Sequence, residues 1–150
     1  MVIAESENIM SKILSFRDLK VWQSGMALAL DVYRVTAGFP TEERYGLTSQ
    51  SRRSAVSIPA NVAEGHARRN DAVFLNHLRI ALGSQAELWT EVELASRLGY
   101  ISGQTCARLQ VQIDETRRML HGLRRSIEQR RQSLVPLTVV GLLLASVLLN

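Results

Sequence analysis

Apolar residues recur at three- and four-residue intervals over four separate stretches of this chain, and each stretch predicts an amphipathic helix. In the first, Phe16, Leu19, Trp22, Met26, Ala29 and Tyr33 form the apolar row, with Arg17, Lys20, Gln23 and Asp31 on other faces. This predicts a helix over about Phe16 to Ala37, ended by a left-handed turn at Gly38 and kept from resuming by Pro40. The second starts near Thr48, a candidate N-cap, and carries the stripe Leu47, Ser51, Ala55, Ile58 and Val62. Pro59 predicts a kink in its middle and Gly65 its end. The third begins at the N-cap Asn70, with Asp71 on the positive end of the helix dipole. Phe74, Leu78, Ala81, Leu88, Val92 and Ala95 supply its stripe, widened by Leu75, Leu82 and Trp89. Gly83 and Ser84 predict a close approach by another helix, and Gly99 predicts the stop.

The fourth stretch has the strictest spacing. Cys106, Leu109, Ile113, Thr116, Leu120, Leu123 and Ile127 alternate three and four apart, the heptad seam of left-handed bundle packing. Four helices on short loops predict an all-α fold, an antiparallel up-down-up-down four-helix bundle over residues 16–132. Residues 1–15 read as a flexible lead-in and 133–150 as an apolar tail.

The tail carries no charge from Leu134 to Leu149. Its uninterrupted part would span only ~20 Å as a helix, against ~30 Å of bilayer hydrocarbon. Three readings stand open: a short membrane anchor flanked by Arg130 and Arg131, an apolar strip packed on the bundle or a subunit, and a non-functional extension.

Composition adds class and partner. At 150 residues, 46% apolar and 21% charged, the chain is one globular domain, and 5% aromatic content argues against a β-rich fold. The single Cys106 excludes an internal disulfide and a Cys-built metal cage. The N-terminus is acidic where a secretory signal would be basic, so a cytoplasmic protein is expected.

Candidate enzyme chemistry is absent from the pattern. His66, His77 and His121 fall in no metal-ligand spacing, and no Gly-rich phosphate loop follows a strand. Asn61 and Glu64 are expected to satisfy backbone groups freed by Pro59 and by the end of the second helix. No catalytic residue, metal or cofactor is expected.

The arginines are better organised. Net charge is +4, carried by 16 Arg and 2 Lys. Arg117, Arg124 and Arg131 repeat every seven residues beside the seam, and Arg118 and Arg125 face outward next to them. From Thr105 to Arg131, seven Arg stand against three acids. A second group, Arg52, Arg53, Arg68 and Arg69, brackets the second helix. A guanidinium can grip a phosphate through two parallel hydrogen bonds. Arg52, Arg53, Arg68, Arg69, Arg117, Arg118, Arg124 and Arg125 are therefore candidates for binding nucleic-acid backbone, RNA or DNA. The competing reading is a solvated face laced by salt bridges. Few aromatics accompany these residues in sequence, so binding without base stacking, independent of base sequence and sensitive to salt, is expected.

Four blocks carry a resemblance. They are Phe16-Arg-Asp-Leu-Lys-Val-Trp-Gln, the run from Phe39 to Gln50, Arg52-Arg-Ser-Ala-Val-Ser-Ile-Pro-Ala-Asn-Val-Ala-Glu-Gly65, and Gly83-Ser-Gln-Ala-Glu-Leu88. In order and spacing, over about residues 16–125, the chain resembles the four-helix-bundle proteins encoded in intervening sequences of bacterial 23S rRNA genes. The resemblance implies a bundle without enzymatic activity. A relative of that family, the accessory variability protein of diversity-generating retroelements, is a homopentameric barrel that binds nucleic acid and works with a reverse transcriptase. The implied partners are thus nucleic acid, further copies of the chain in a pentamer, and a reverse transcriptase. Arg53, Pro59, Asn61, Glu64 and Gly65 match the family signature, with structural roles. Ser54 stands where the family usually has Ala, and the apolar tail after Ser133 is not part of the pattern. The alternative is a structural adaptor for a protein partner, tethered to a membrane by the tail.

Overall fold

An unbroken 3.6-residue apolar period gives helix, and the structure, a computed structural model that describes residues 14–133, holds four long ones. They are α1 (Lys20–Thr36), α2 (Leu47–Ala67), α3 (Asp71–Arg97) and α4 (Gly103–Ser133). Short 3-10 turns at Phe16–Asp18 and Thr41–Tyr45 precede α1 and α2. No strand occurs among the described residues, and the fold is all-α as expected. The readings of the lead-in before residue 14 and of the tail from Leu134 to Leu149 fall outside the described residues.

Side-chain pairs fix the antiparallel order. Along α2 and α3 the partners run in opposite directions, from Ser54–Glu91 through Ser57–Ser84 to Asn61–His77. α1 meets α4 in the same sense at Ser24–Thr116 and Asp31–Gln112, and α3 meets α4 at Glu93–Gln110 and Asp71–Arg130. The first turns of α2 reach the end of α1 at Arg52–Thr36. Each helix packs on its neighbours in sequence and α1 closes on α4, which places α2 and α4 at opposite corners of an up-down-up-down bundle.

The α4 seam is buried as its spacing requires: Cys106, Leu109, Ile113, Thr116, Leu120 and Ile127 face the core, with Leu123 half-buried. Opposite them sit Leu28, Ile58, Leu78 and Leu88, and each such side chain contributes about 1.5–3 kcal/mol through burial. Thr116 enters this core because its hydroxyl bonds the Gln112 carbonyl and Ser24 Oγ, both at 2.9 Å.

α1 departs from expectation. Phe16–Asp18 is a separate turn, closed reciprocally by Ser15 and Asp18, and Leu19 is extended before the helix begins. The buried face is Val21, Gly25, Leu28, Ala29 and Val32; of the expected row Leu19 and Ala29 are buried, Phe16 and Trp22 pack half-buried against the core, and Met26 and Tyr33 are 39% and 46% exposed. Gly25 explains the rotation. A Cβ there would lie 3.3 Å from the Pro59 ring, so a face of small residues lets α1 sit close on α2, and the bulkier side chains move to the flanks.

Three boundary residues also act differently. The left-handed residues among those described are Gly99 (φ 76°) and Arg69 (φ 52°), not Gly38. Thr48 is buried inside α2 rather than capping it, and Glu43 instead reaches from the preceding turn to accept from the Leu47 N–H at 2.8 Å. Gly65 does not end α2, which continues to Ala67; it is buried against α3. Pro59 lies inside the continuous helix with its ring on Gly25. The expected N-cap at Asn70 holds, since its Oδ1 accepts from the Val73 N–H at 3.1 Å. Gly99 stops α3 as expected, its own N–H and that of Tyr100 taking the Ser96 and Ala95 carbonyls. Ser84 is buried at the α2 contact, whereas Gly83 faces open space.

Candidate functional site

The outward edge of α4 carries the heptad arginines because the seam occupies the opposite side of the same helix. Arg118, Arg125 and Arg131 are exposed and have no carboxylate partner among the described residues. Arg117 pairs with Asp114 at 3.2 Å, and Arg124 lies 3.5 Å from Glu128. Both pairs are within one helix, three or four residues apart, and partly exposed, although Arg124 Nε itself is buried without a hydrogen-bond partner among the described residues. Such pairs are worth only about 0.3–0.5 kcal/mol, so a phosphate can displace the carboxylate at small cost. Arg130 is more committed, crossing to Asp71 at the start of α3 through two hydrogen bonds.

The four arginines of the second group do not form one cluster. Arg52 and Arg53 lie near the start of α2, Arg68 and Arg69 in the loop after it, ~24 Å away along the helix. Arg68 is paired with Glu64 at 2.7 Å, and this guanidinium holds the Glu64 carboxyl below the usual carboxylate range. Arg69 occupies the left-handed region, a conformation costly for any residue but Gly. The α4 stripe is diagonal to Arg52 and Arg53, so the two groups do not make one continuous surface.

What the bundle does assemble is a groove at Arg52 and Arg53. An open cavity of about 620 Å³ lies between the end of α1, the turn before α2, and the first half of α2. Tyr33, Arg44, Tyr45, Thr48, Arg52 and Arg53 line it, and no carboxylate among the described residues does. Arg52 is held in place: its Nε donates to Thr36 Oγ1 at 2.8 Å, and its guanidinium carbon lies 4.7 Å from the Tyr33 ring centre. Arg44 sits 5.5 Å from the Tyr45 ring centre. Sequence reasoning missed Tyr33, Arg44 and Tyr45. Arg44 and Tyr45 are adjacent in the Phe39–Gln50 block, but only the fold brings them to Arg52.

Polar residues of α2, the signature Asn61 among them, build the α2–α3 contact, whereas the signature Pro59 packs on Gly25 of α1. Ser54, Ser57, Asn61 and Glu64 follow one another three or four apart along one side of α2. Ser54 Oγ donates to Glu91 Oε1 at 3.1 Å, and Ser84 Oγ donates to Ser57 Oγ at 2.8 Å. Asn61 Nδ2 donates to the Ser57 carbonyl at 2.9 Å, and His77 Nδ1 donates to Asn61 Oδ1 at 3.0 Å. Asn61 thus bonds the backbone, though not the Ala55 carbonyl that the missing N–H of Pro59 leaves free. Glu64 meets the Arg68 side chain rather than a backbone group. Burial pushes the Glu91 carboxyl up, partly opposed by the Ser54 bond, and its Oε2 has no hydrogen-bond partner among the described residues.

Other chemistry has little to work with. Cys106 is buried on the core seam, its Sγ 3.9 Å from the Val92 carbonyl. Among the described residues no group of three His, Cys, Asp or Glu could hold a metal ion, and no helix is long and apolar enough to cross a membrane.

No curated protein matches the chain. The fold is shared with a crystal structure from Bacteroides thetaiotaomicron, that of a protein of unknown function from the S23 ribosomal protein family. The two are 24% identical, the match covers 70% of this chain and 95% of that one, and the TM-score is 0.65. A family model described as 23S rRNA-intervening sequence protein matches residues 17–122, from the turn before α1 through most of α4. The chain belongs to the 23S rRNA-intervening sequence protein family.

Proposed function

We propose that this protein is a non-enzymatic, oligomeric helical bundle that binds nucleic-acid backbone through its clustered arginines, as an accessory to a reverse transcriptase or in connection with an rRNA intervening sequence. The observation that carries the reading is the outer edge of α4, where Arg118, Arg125 and Arg131 stand without carboxylate partners among the described residues beside the weakly paired Arg117 and Arg124. Solubility does not require five guanidiniums along a single edge, whereas a phosphate backbone offers such a row repeated anionic partners. Arg69 supports it from the α2–α3 loop, where an exposed Arg keeps a conformation that Gly would hold at lower cost. Filter binding of labelled RNA and DNA at low salt tests the proposal, and absence of retention for both would end it.

A second reading, an adaptor for a protein partner, has its own observation. Val73, Ile80 and Leu94 are 38%, 46% and 46% exposed, and they recur at multiples of seven along α3, with the exposed Glu87 at the position between Ile80 and Leu94. An apolar row of this kind suits a helix of another copy or of a partner. Sedimentation of the wild type and of Ile80→Glu separates the two: a fall in assembly size with unchanged nucleic-acid retention makes the row an interface and leaves the arginines their role.

A further inference from the structure

We propose that the groove between α1 and α2 is a subsite for one unpaired nucleotide of a nucleic-acid strand. Its base lies against Tyr45, and its phosphate on Arg44, Arg53 and the Arg52 that Tyr33 holds. The inference rests on the nucleic-acid reading above and narrows it. The cavity of about 620 Å³ is of the size that small-molecule groups occupy in proteins. Its lining supplies three guanidiniums, two phenol rings and the side chains of Thr48 and Ser49, without a carboxylate among the described residues. That set is matched by a ligand that is anionic at one end and aromatic at the other.

Two details argue for a nucleotide rather than a bare anion. Tyr45 is 86% exposed, the most exposed of the large apolar side chains among the described residues, so the core does not explain its ring. It stands beside Arg44, as a ring that stacks a base and a cation that meets the adjoining phosphate would stand. Arg52 is fixed by Thr36 and Tyr33, so little side-chain freedom is lost when its terminal nitrogens meet a phosphate. The carboxylates near this end are Glu42 and Glu43, in the same turn as Arg44, and Glu91 on α3, whose charge is felt by Arg53. An unpaired base has a free face to offer Tyr45; a base inside a duplex does not.

The test is an anisotropy titration of the full chain with a labelled single-stranded oligonucleotide and with the same strand annealed to its complement. Tyr45→Ala, Tyr45→Phe and the wild type are compared; Tyr45 is exposed enough that neither change disturbs the core. Tyr45→Ala is expected to weaken single-strand binding about tenfold, in keeping with the loss of one stacked base, while duplex binding stays unchanged and Tyr45→Phe restores the single strand. If Tyr45→Ala binds the single strand as the wild type does, the subsite falls while backbone binding stands. If the wild type binds neither nucleic acid, both proposals fall. Tyr45-dependent binding of a nucleoside monophosphate without Tyr45-dependent binding of the strand would overturn the subsite in favour of a free nucleotide.

Discussion

A Cβ on Gly65 would lie 2.5 Å from Phe74 Cδ2, so α2 and α3 touch here through the absence of a side chain. His77 Cβ, at 2.9 Å, closes the other side of the gap. Phe74 is buried and cannot swing away, so Gly65→Ala must separate the helices or force the ring off its rotamer. The usual gain of about 1 kcal/mol for Ala over Gly in a helix is outweighed by an overpacking cost of roughly 1–3 kcal/mol or more. Urea denaturation should show Gly65→Ala destabilised. Gly83→Ala, where no described residue lies within 4 Å, should be stabilised instead.

Arg69 separates stability from binding. Its φ of 52° costs an L-residue about 1–2 kcal/mol, and Gly returns part of this as unfolded-state entropy. Arg69→Gly should therefore gain roughly 0.5–1 kcal/mol in denaturation while retaining less nucleic acid on a filter. A variant both less stable and equally retentive would contradict the assignment of Arg69.

Glu91 should give stability a pH dependence of defined sign. Its folded value is raised above the reference value of 4.5, first by burial and then by Glu87, against the opposing effects of Ser54 and Arg53. A raised carboxyl contributes fully below its unfolded value and loses that contribution as pH rises through the folded one. Glu91→Gln removes the titration and keeps an acceptor for Ser54 Oγ. Thermal melts of the two proteins should therefore diverge above about pH 4.5, the variant gaining on the wild type as pH rises. Asp31 acts in the opposite sense. Bonds from Gln112, Arg108 and Arg34, the first the strongest, lower its value against some desolvation, so its contribution is present above 3.8 and lost on acidification through its folded value. Parallel melts of wild type and Glu91→Gln across pH would contradict the burial of Glu91.

These residues also show which parts of the fold can be read from one sequence. The α4 seam was legible because a heptad period over Cys106–Ile127 leaves one face that can be buried, and the structure buries it. α1 was misread in part, because its large residues Met26 and Tyr33 draw the eye to a flank, while the close contact at the small Gly25 turns Val21, Leu28 and Val32 inward beside the expected Ala29. Periodicity reports that a face exists, but which of two overlapping faces is buried depends on the partner, here the Pro59 ring. Gly65 read as a stop for the same reason, since a glycine that ends a helix and one that admits a neighbour look alike in a string. The candidate arginines were legible as a set. Their division between opposite corners, and the joining of Arg44 and two tyrosines to one pair, required the bundle order.

The central claim is that the guanidiniums on the α4 edge meet phosphates, and a salt series measures this most directly. Filter binding of one labelled strand should show log K falling linearly with log salt between about 50 and 200 mM, as counterions are released. With Arg117, Arg118, Arg124 and Arg125 all changed to Ala, affinity should drop at low salt. The slope should flatten by about 0.7 per lost single-strand phosphate contact. Circular dichroism should show the helix intact, since Ala favours helix and these side chains lie outside the core seam. A wild type that is not retained at low salt, or a fourfold variant with the same slope and affinity, would contradict the account.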